Sequence, residues 1–215
     1  VLHHFLQVWF GWVDHWGYAG VVLLMALESS IVPVPSEIVI PPAAFWAAQG
    51  RMSIVGVVVA GTLGSYIGSI LNFWFFRWLG RPLLDRYGKY VLLPQDKIEL
   101  AHRWAIAFGP PGIFIARLLP VIRHLISIPA GILRMSFAAF SLATLSGAAL
   151  WCAVLCWFGQ SVLGAHPELI ESPEGMVAAI KSQLHWFVLV AVLLAAAYGA
   201  LTWMKRKEVL SSANT

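Results

Sequence analysis

Four charged residues stand inside otherwise apolar stretches of this chain: Glu28 and Glu37 in ESSIVPVPSEIVIPP, and Arg117 and Arg123 in RLLPVIRHLISIPAG. Arginine stays protonated and offers a planar fork of donors suited to phosphate, so Arg117 and Arg123 are candidates to hold an anionic headgroup in lipid-like surroundings. A carboxylate in a low-dielectric site titrates closer to neutrality than one in water. Glu28 and Glu37 are therefore candidate proton carriers that pair with the arginines and release them. Ser36 and Ser127 can donate to a phosphate or cap broken helix ends. His124 adds a titrating donor or a hydrogen-bonded packing residue. The other reading of the four charges is a pair of internal salt bridges that only hold the fold. Against it, burying ions seldom gains net stability over packed apolar residues.

The surroundings of these residues set their cost. Sixty per cent of the 215 residues are apolar, 11% are charged and 11 are tryptophan, a composition that a water-soluble globule of this size cannot bury. The solvent is a bilayer. There each unpaired charge costs about 2.5–3.5 kcal/mol at the midplane, on the order of 10 kcal/mol for all four. The net charge of +4 sits in loops and needs no nucleic-acid partner. Cys152 and Cys156, four apart in an apolar run, read as packing residues, and no metal-ligand spacing or cofactor motif is evident.

Transmembrane helices are predicted at about 52–77, 136–163 and 183–204, each long enough for the ~20 residues a crossing requires. Two further apolar stretches, about 16–50 and 109–133, carry the charges together with Pro33, Pro35, Pro41 and Pro42 in the first, and Pro110, Pro111, Pro120 and Pro129 in the second. Proline removes a backbone donor and clashes with the preceding turn, so a straight helix is not expected through the middle of either. On an unbroken helix Glu28 and Glu37 fall about 180° apart, and Arg117 and Arg123 about 120° apart. Breaks at the prolines allow each pair to converge, and two re-entrant hairpins are predicted, since irregular backbone at membrane depth persists only where protein or a water-filled cavity surrounds it.

The two halves also resemble each other. Gly17-Tyr-Ala-Gly20 parallels Gly109-Pro-Pro-Gly112, Arg51-Met-Ser recurs as Arg134-Met-Ser, and Trp78-Leu-Gly-Arg-Pro-Leu-Leu recurs as Trp157-Phe-Gly-Gln-Ser-Val-Leu. The predicted fold class is an all-α integral membrane protein built as an inverted repeat. Each repeat has one proline-broken re-entrant hairpin and one transmembrane helix, and an extra C-terminal transmembrane helix follows. Residues 1–205 form a single membrane domain. Interfacial segments are expected at about 2–14, marked by Trp9, Phe10 and Trp12, and at about 80–107, as an amphipathic helix or a solvated connector. Six basic residues in the linker from Arg77 to Arg103 and the Lys205-Arg206-Lys207 run place the linker, the C-terminus and the tail 206–215 in the cytoplasm.

With these motifs in view, the chain resembles the DedA family of bacterial membrane proteins, whose VTT domain is shared with eukaryotic lipid scramblases. The segments carrying the resemblance run from Glu28 to Glu37, from Phe114 to Arg123, over Pro129-Ala-Gly131, and from Arg134 to Phe140. The resemblance implies a multi-pass protein of the bacterial inner membrane that returns undecaprenyl phosphate between leaflets with proton coupling. It puts the family's essential acids at Glu28 and Glu37 and its essential arginines at Arg117 and Arg123. Pro33, Pro35, Pro120, Ser36, His124 and Ser127 are the expected site-lining residues. Some members carry Asp at the position of Glu37, and many carry a small hydroxyl residue at that of His124. The implied partners are a membrane lipid (polyprenyl phosphate or an anionic phospholipid), protons and, for a homo-oligomer, further copies of the chain. The alternatives are a proton-coupled carrier of small ions or cationic drugs, a general phospholipid scramblase, an intramembrane phosphatase and a non-transporting scaffold.

Overall fold

A computed structural model of the protein describes residues 11–13, 15–30, 36–87, 109, 111–119 and 122–165, together with positions 185, 189, 192, 193 and 196. Side chains are described up to residue 79 and from 109 to 161, apart from positions left out within those stretches. Among the described residues every regular element is a helix: α1 (Tyr18–Glu28), α2 (Ser36–Ala48), α3 (Ile54–Tyr87), α4 (Ile122–Leu125), α5 (Ser127–Ile132) and α6 (Phe137–Ala165). Residues 111–117 form a further helical stretch before α4.

Two of these helices are long and apolar enough to cross a membrane, over Ile54–Leu79 and Phe137–Ser161. Their outward faces carry Val55, Leu71, Trp78, Leu142 and Trp157, all exposed. Such a surface is stable against lipid and not against water. Helix α3 continues past the predicted end near 77 for nearly three more turns, to Tyr87. Its 34 residues measure about 51 Å at 1.5 Å per residue, against about 30 Å of hydrocarbon. Arg77 marks the change, with its guanidinium 5.7 Å from the Phe73 ring and 5.5 Å from that of Trp74, and Nη1 donating to the Met135 carbonyl at 3.2 Å. The third predicted span, 183–204, is described at five positions, of which all are helical. The segments 2–10 and 88–107 and the tail 206–215 lie outside the described residues.

Two predicted breaks fall differently along the first apolar stretch. Helix α1 stops at Glu28 and α2 begins at Ser36, so the interruption brackets Pro33 and Pro35, which are not themselves described. Pro41 and Pro42, by contrast, lie inside α2. They deprive the Glu37 and Ile38 carbonyls of their helical donors without ending the helix. The helix survives there because it is packed. Pro41 lies against Gly159 of α6, where a Cβ would come within 2.6 Å of the Pro41 Cα. Val39, Ile40, Ala43 and Ala44 enter one core cluster with Trp151, Cys152, Leu155 and Cys156.

Glycines set the close contacts, and they do so in matching places. A Cβ at Gly64 of α3 would overlap the Val22 carbonyl and lie 2.8 Å from the Met25 Cβ of α1. At Gly147 of α6 it would lie 2.7 Å from the Arg117 Cβ and 3.3 Å from the Phe114 carbonyl oxygen. Val22 stands five residues after Gly17, and Phe114 five after Gly109. Those two glycines share a left-handed backbone, at φ 54° and 52°. The exits match as well. Gly50 (φ 80°) donates to the Ala47 carbonyl and Arg51 to that of Trp46; Arg134 (φ 51°) donates to the Gly131 carbonyl and Met135 to that of Ala130. Both are Schellman turns, the second with arginine in the left-handed position usually held by glycine. Each is followed by a serine whose carbonyl accepts the first bond of a long helix, Ser53 from Val57 and Ser136 from Phe140.

The packing is also exchanged between halves. Helix α1 lies along α3 and residues 111–117 along α6, whereas α2 packs on α6 and α5 on α3. Because both long helices depend on a bare Cα at the crossing, Gly64→Val and Gly147→Val are each expected to lower stability by about 1–3 kcal/mol through overpacking. Thermal unfolding in detergent measures this, and a neutral effect at either position contradicts the close approach.

Candidate functional site

The end of α1 and the start of α2 meet at a carboxylate. Glu28, the last residue of α1, accepts the Ser36 backbone N–H at 2.9 Å through Oε1. The first N–H groups of a helix have no partner within it, and their partial positive charge favours an anion. Glu28 thus caps α2 across the seven residues that separate them. The same Oε1 accepts from Arg123 Nη2, which forms an ion pair with Glu28. Arg123 also donates to Ser36 Oγ at 2.8 Å, and Trp151 Nε1 of α6 donates to that hydroxyl at 3.2 Å. The Trp151 ring lies 5.0 Å from the Arg123 guanidinium, a cation–π contact on one face of the fork.

Arg117 has different company. Its Nη2 donates to Ser69 Oγ of α3 at 2.7 Å and to Ser127 Oγ of α5 at 3.0 Å, bridging two elements. Ser69 Oγ donates in turn to the Ser65 carbonyl at 2.6 Å, and the Ser65 hydroxyl shares a 2.9 Å hydrogen bond with Ser29. Asn72 Nδ2 donates to the Ser29 and Ser30 carbonyls, each at 2.9 Å, satisfying the end of α1. One face of α3 therefore ties the first interruption to Arg117. Tyr66 adds a bond from its hydroxyl to Ser141 Oγ of α6 at 2.7 Å.

The site is dry. Glu28 and Arg117 are each 3% exposed and Arg123 6%, and Ser36, Ser69 and Ser127 are fully buried. Among the described residues Arg117 has no carboxylate within ion-pair distance, and its Nε has no hydrogen-bond partner. Among the described residues, two guanidiniums thus face one fully buried carboxylate, and Arg117 has no ion-pair partner in a medium where such a charge is costly. An arrangement of this kind can receive a monoanion, and a phosphate oxygen suits the donors on offer.

The structure brings Glu28, Ser36 and Arg123 together, and places Arg117 with Ser127. Glu37 is half-buried at the first turn of α2, 3.5 Å from Ser36 Oγ. It does not join the ion pair. Pro33, Pro35, Pro120 and the His124 side chain lie outside the described residues. Sequence reasoning did not assign Ser29, Ser65, Ser69, Asn72, Thr144 or Trp151. The signal for three of them was present: Ser65, Ser69 and Asn72 recur at helical spacing in an uncharged run, a polar stripe on one face.

Comparison with known proteins places the chain in a family. The family model described as the VTT domain matches residues 34–161. Undecaprenyl phosphate transporter A of Bacillus subtilis is 35% identical over 164 residues, covering 76% of this chain and 80% of its own. The Staphylococcus aureus protein of the same name is 30% identical over 202 residues, 92% of this chain and 96% of its own. An alkaline phosphatase-like protein of Lactococcus lactis subsp. cremoris is 32% identical over 177 residues, 78% of this chain and 82% of its own. No solved structure matches the chain. Of the residues that resemble the DedA family, Glu37, Arg117 and Arg123 lie in the matched domain and Glu28 just before it; that domain covers more than half of the sequence, and the chain belongs to the VTT domain family of membrane proteins.

Proposed function

We propose that the protein is a lipid-phosphate transporter that moves undecaprenyl phosphate, or a closely similar polyprenyl phosphate, between the leaflets of the bacterial inner membrane. The observation that carries the reading is the buried Arg117, a guanidinium with no carboxylate partner among the described residues beside a second one already paired. The names of the Bacillus and Staphylococcus relatives support the same substrate class. In this reading Arg117 takes the phosphate while the polyprenyl tail stays in lipid. Glu28 holds Arg123 when ionised and releases it on taking a proton, which supplies a second fork to the anion and couples movement to protons. Glu37, at the less buried edge, delivers that proton.

The architecture that suits this cycle is one membrane domain over 1–205. It consists of an inverted duplication with two re-entrant hairpins, at 16–50 and 109–133, and the linker and C-terminus in the cytoplasm. The paired glycine contacts at Gly64 and Gly147 and the paired Schellman turns at Gly50 and Arg134 support the duplication. The protein acts as a carrier rather than a hydrolase, although the Lactococcus relative has a phosphatase-like name.

Thermal stabilisation of the purified protein by a polyprenyl monophosphate, compared with the uncharged polyprenol of equal length, tests the substrate class. Stabilisation by the phosphate alone is expected. Equal response to both lipids contradicts the reading, and release of inorganic phosphate from the lipid moves it to an enzyme.

A further inference from the structure

Three fully buried polar side-chain atoms have no hydrogen-bond partner among the described residues: Glu28 Oε2, Arg117 Nε and Thr144 Oγ1. The first two belong to the charges already discussed. Thr144 does not. It is fully buried on α6, three residues before Gly147, where the Arg117 Cβ is seated, and seven before Trp151, which covers Arg123. Residues spaced by three and seven share a helix face, so Thr144 is on the face that meets both arginines.

The state of its hydroxyl is unusual for a helix in lipid. Such hydroxyls ordinarily donate to a carbonyl one turn back, as Thr62 does to Val58 at 2.7 Å and Ser146 to Leu142 at 2.8 Å. Thr144 makes no such bond. A buried hydroxyl without a partner is destabilising, and valine would fill the same space without that cost. The unpaired guanidine Nε of Arg117 and the unpaired hydroxyl of Thr144 come from different elements, one from the helical stretch 111–117 and one from α6. A planar fork alone suits a planar carboxylate as well as a phosphate. A second donor arriving from another element suits a tetrahedral anion.

We propose that Thr144 is a substrate-binding residue whose hydroxyl donates to a phosphate oxygen of the lipid anion engaged by Arg117. This rests on the lipid-phosphate reading above and adds a specificity-determining group to it. The ligand completes the hydrogen bonds of both side chains, and the ligand-free protein carries the cost of their being open.

The test uses the full chain in detergent, with a polyprenyl monophosphate and the matching polyprenol as probes, and the variants Thr144→Val and Thr144→Ser. Thr144→Val is expected to bind the monophosphate about tenfold more weakly, the scale of one hydrogen bond to a charged group. Its ligand-free thermal stability is expected to be unchanged or higher. Thr144→Ser keeps the donor and is expected to bind within about twofold of the parent. Parent-like affinity of Thr144→Val overturns the proposal, as does a Thr144→Val protein that fails to fold or loses ligand-free stability, because the hydroxyl then has a structural partner. If the parent itself does not prefer the monophosphate to the polyprenol, the substrate reading fails first, and the proposal with it.

Discussion

Glu28→Ala is expected to destabilise the protein by about 3–5 kcal/mol, the cost of leaving one partner of a buried ion pair without the other. Two losses combine at this residue. Among the described residues Arg123 keeps the Ser36 hydroxyl and the face of Trp151, neither of which carries a charge to offset its own. The Ser36 N–H at the start of α2 loses its acceptor in a fully buried position, where water cannot replace it. A double variant separates the charge effect from the cap. Glu28→Met with Arg123→Met removes both charges and is expected to recover most of the lost stability, since apolar replacement of a whole buried pair is often neutral. It is not expected to recover transport. Thermal unfolding of the two single variants and the double variant gives the coupling energy directly. A coupling near zero contradicts the ion pair.

Arg117→Met is expected to act in the opposite way. Arg117 has no carboxylate to orphan among the described residues, so its removal leaves only the Ser69 and Ser127 hydroxyls without a donor. Ser69 already donates to the Ser65 carbonyl and keeps that bond. Stability of the ligand-free protein is expected to stay level or rise, because a buried cation with no ion-pair partner among the described residues is lost. Affinity for a polyprenyl monophosphate is expected to fall about 100-fold, two charge-assisted hydrogen bonds at about 1.5 kcal/mol each. Arg117→Lys keeps the charge but not the fork, and is expected to recover only part of the affinity. Measured side by side, Glu28→Ala loses stability and Arg117→Met loses ligand. A stability loss at Arg117 as large as that at Glu28 contradicts the division of labour between the two arginines.

The sequence made the charged residues and the prolines legible because both are expensive in lipid, and expense is visible without coordinates. It could not say which arginine meets Glu28. Arg117 and Arg123 are both arginines on either side of Pro120, and only the ion pair that Arg123 of α4 makes with Glu28 at the end of α1 separates them. Pro41 and Pro42 looked like helix breakers on local grounds, yet they lie within α2, where packing against Gly159 outweighs two lost backbone bonds. Trp151 was one tryptophan among 11, and nothing local marked it as the indole over Arg123. The stripe Ser65, Ser69 and Asn72 was readable as a pattern but not as a contact, because serine is common in membrane helices for reasons of size alone. The matched glycines were the reverse case: Gly17 with Gly109 was aligned from sequence, and the structure gives the pair the same left-handed backbone.

In the proposed cycle the buried Arg117, which has no carboxylate partner among the described residues, receives a lipid phosphate as it passes between leaflets. The most direct measurement is leaflet-resolved movement of a polyprenyl monophosphate in proteoliposomes of the purified protein, with and without a proton gradient, for the parent and for folded Arg117→Met. Movement by the parent is expected to respond to the gradient and to fall to the protein-free rate in Arg117→Met. Movement at the parent rate in Arg117→Met, or none above protein-free liposomes in the parent, contradicts that cycle.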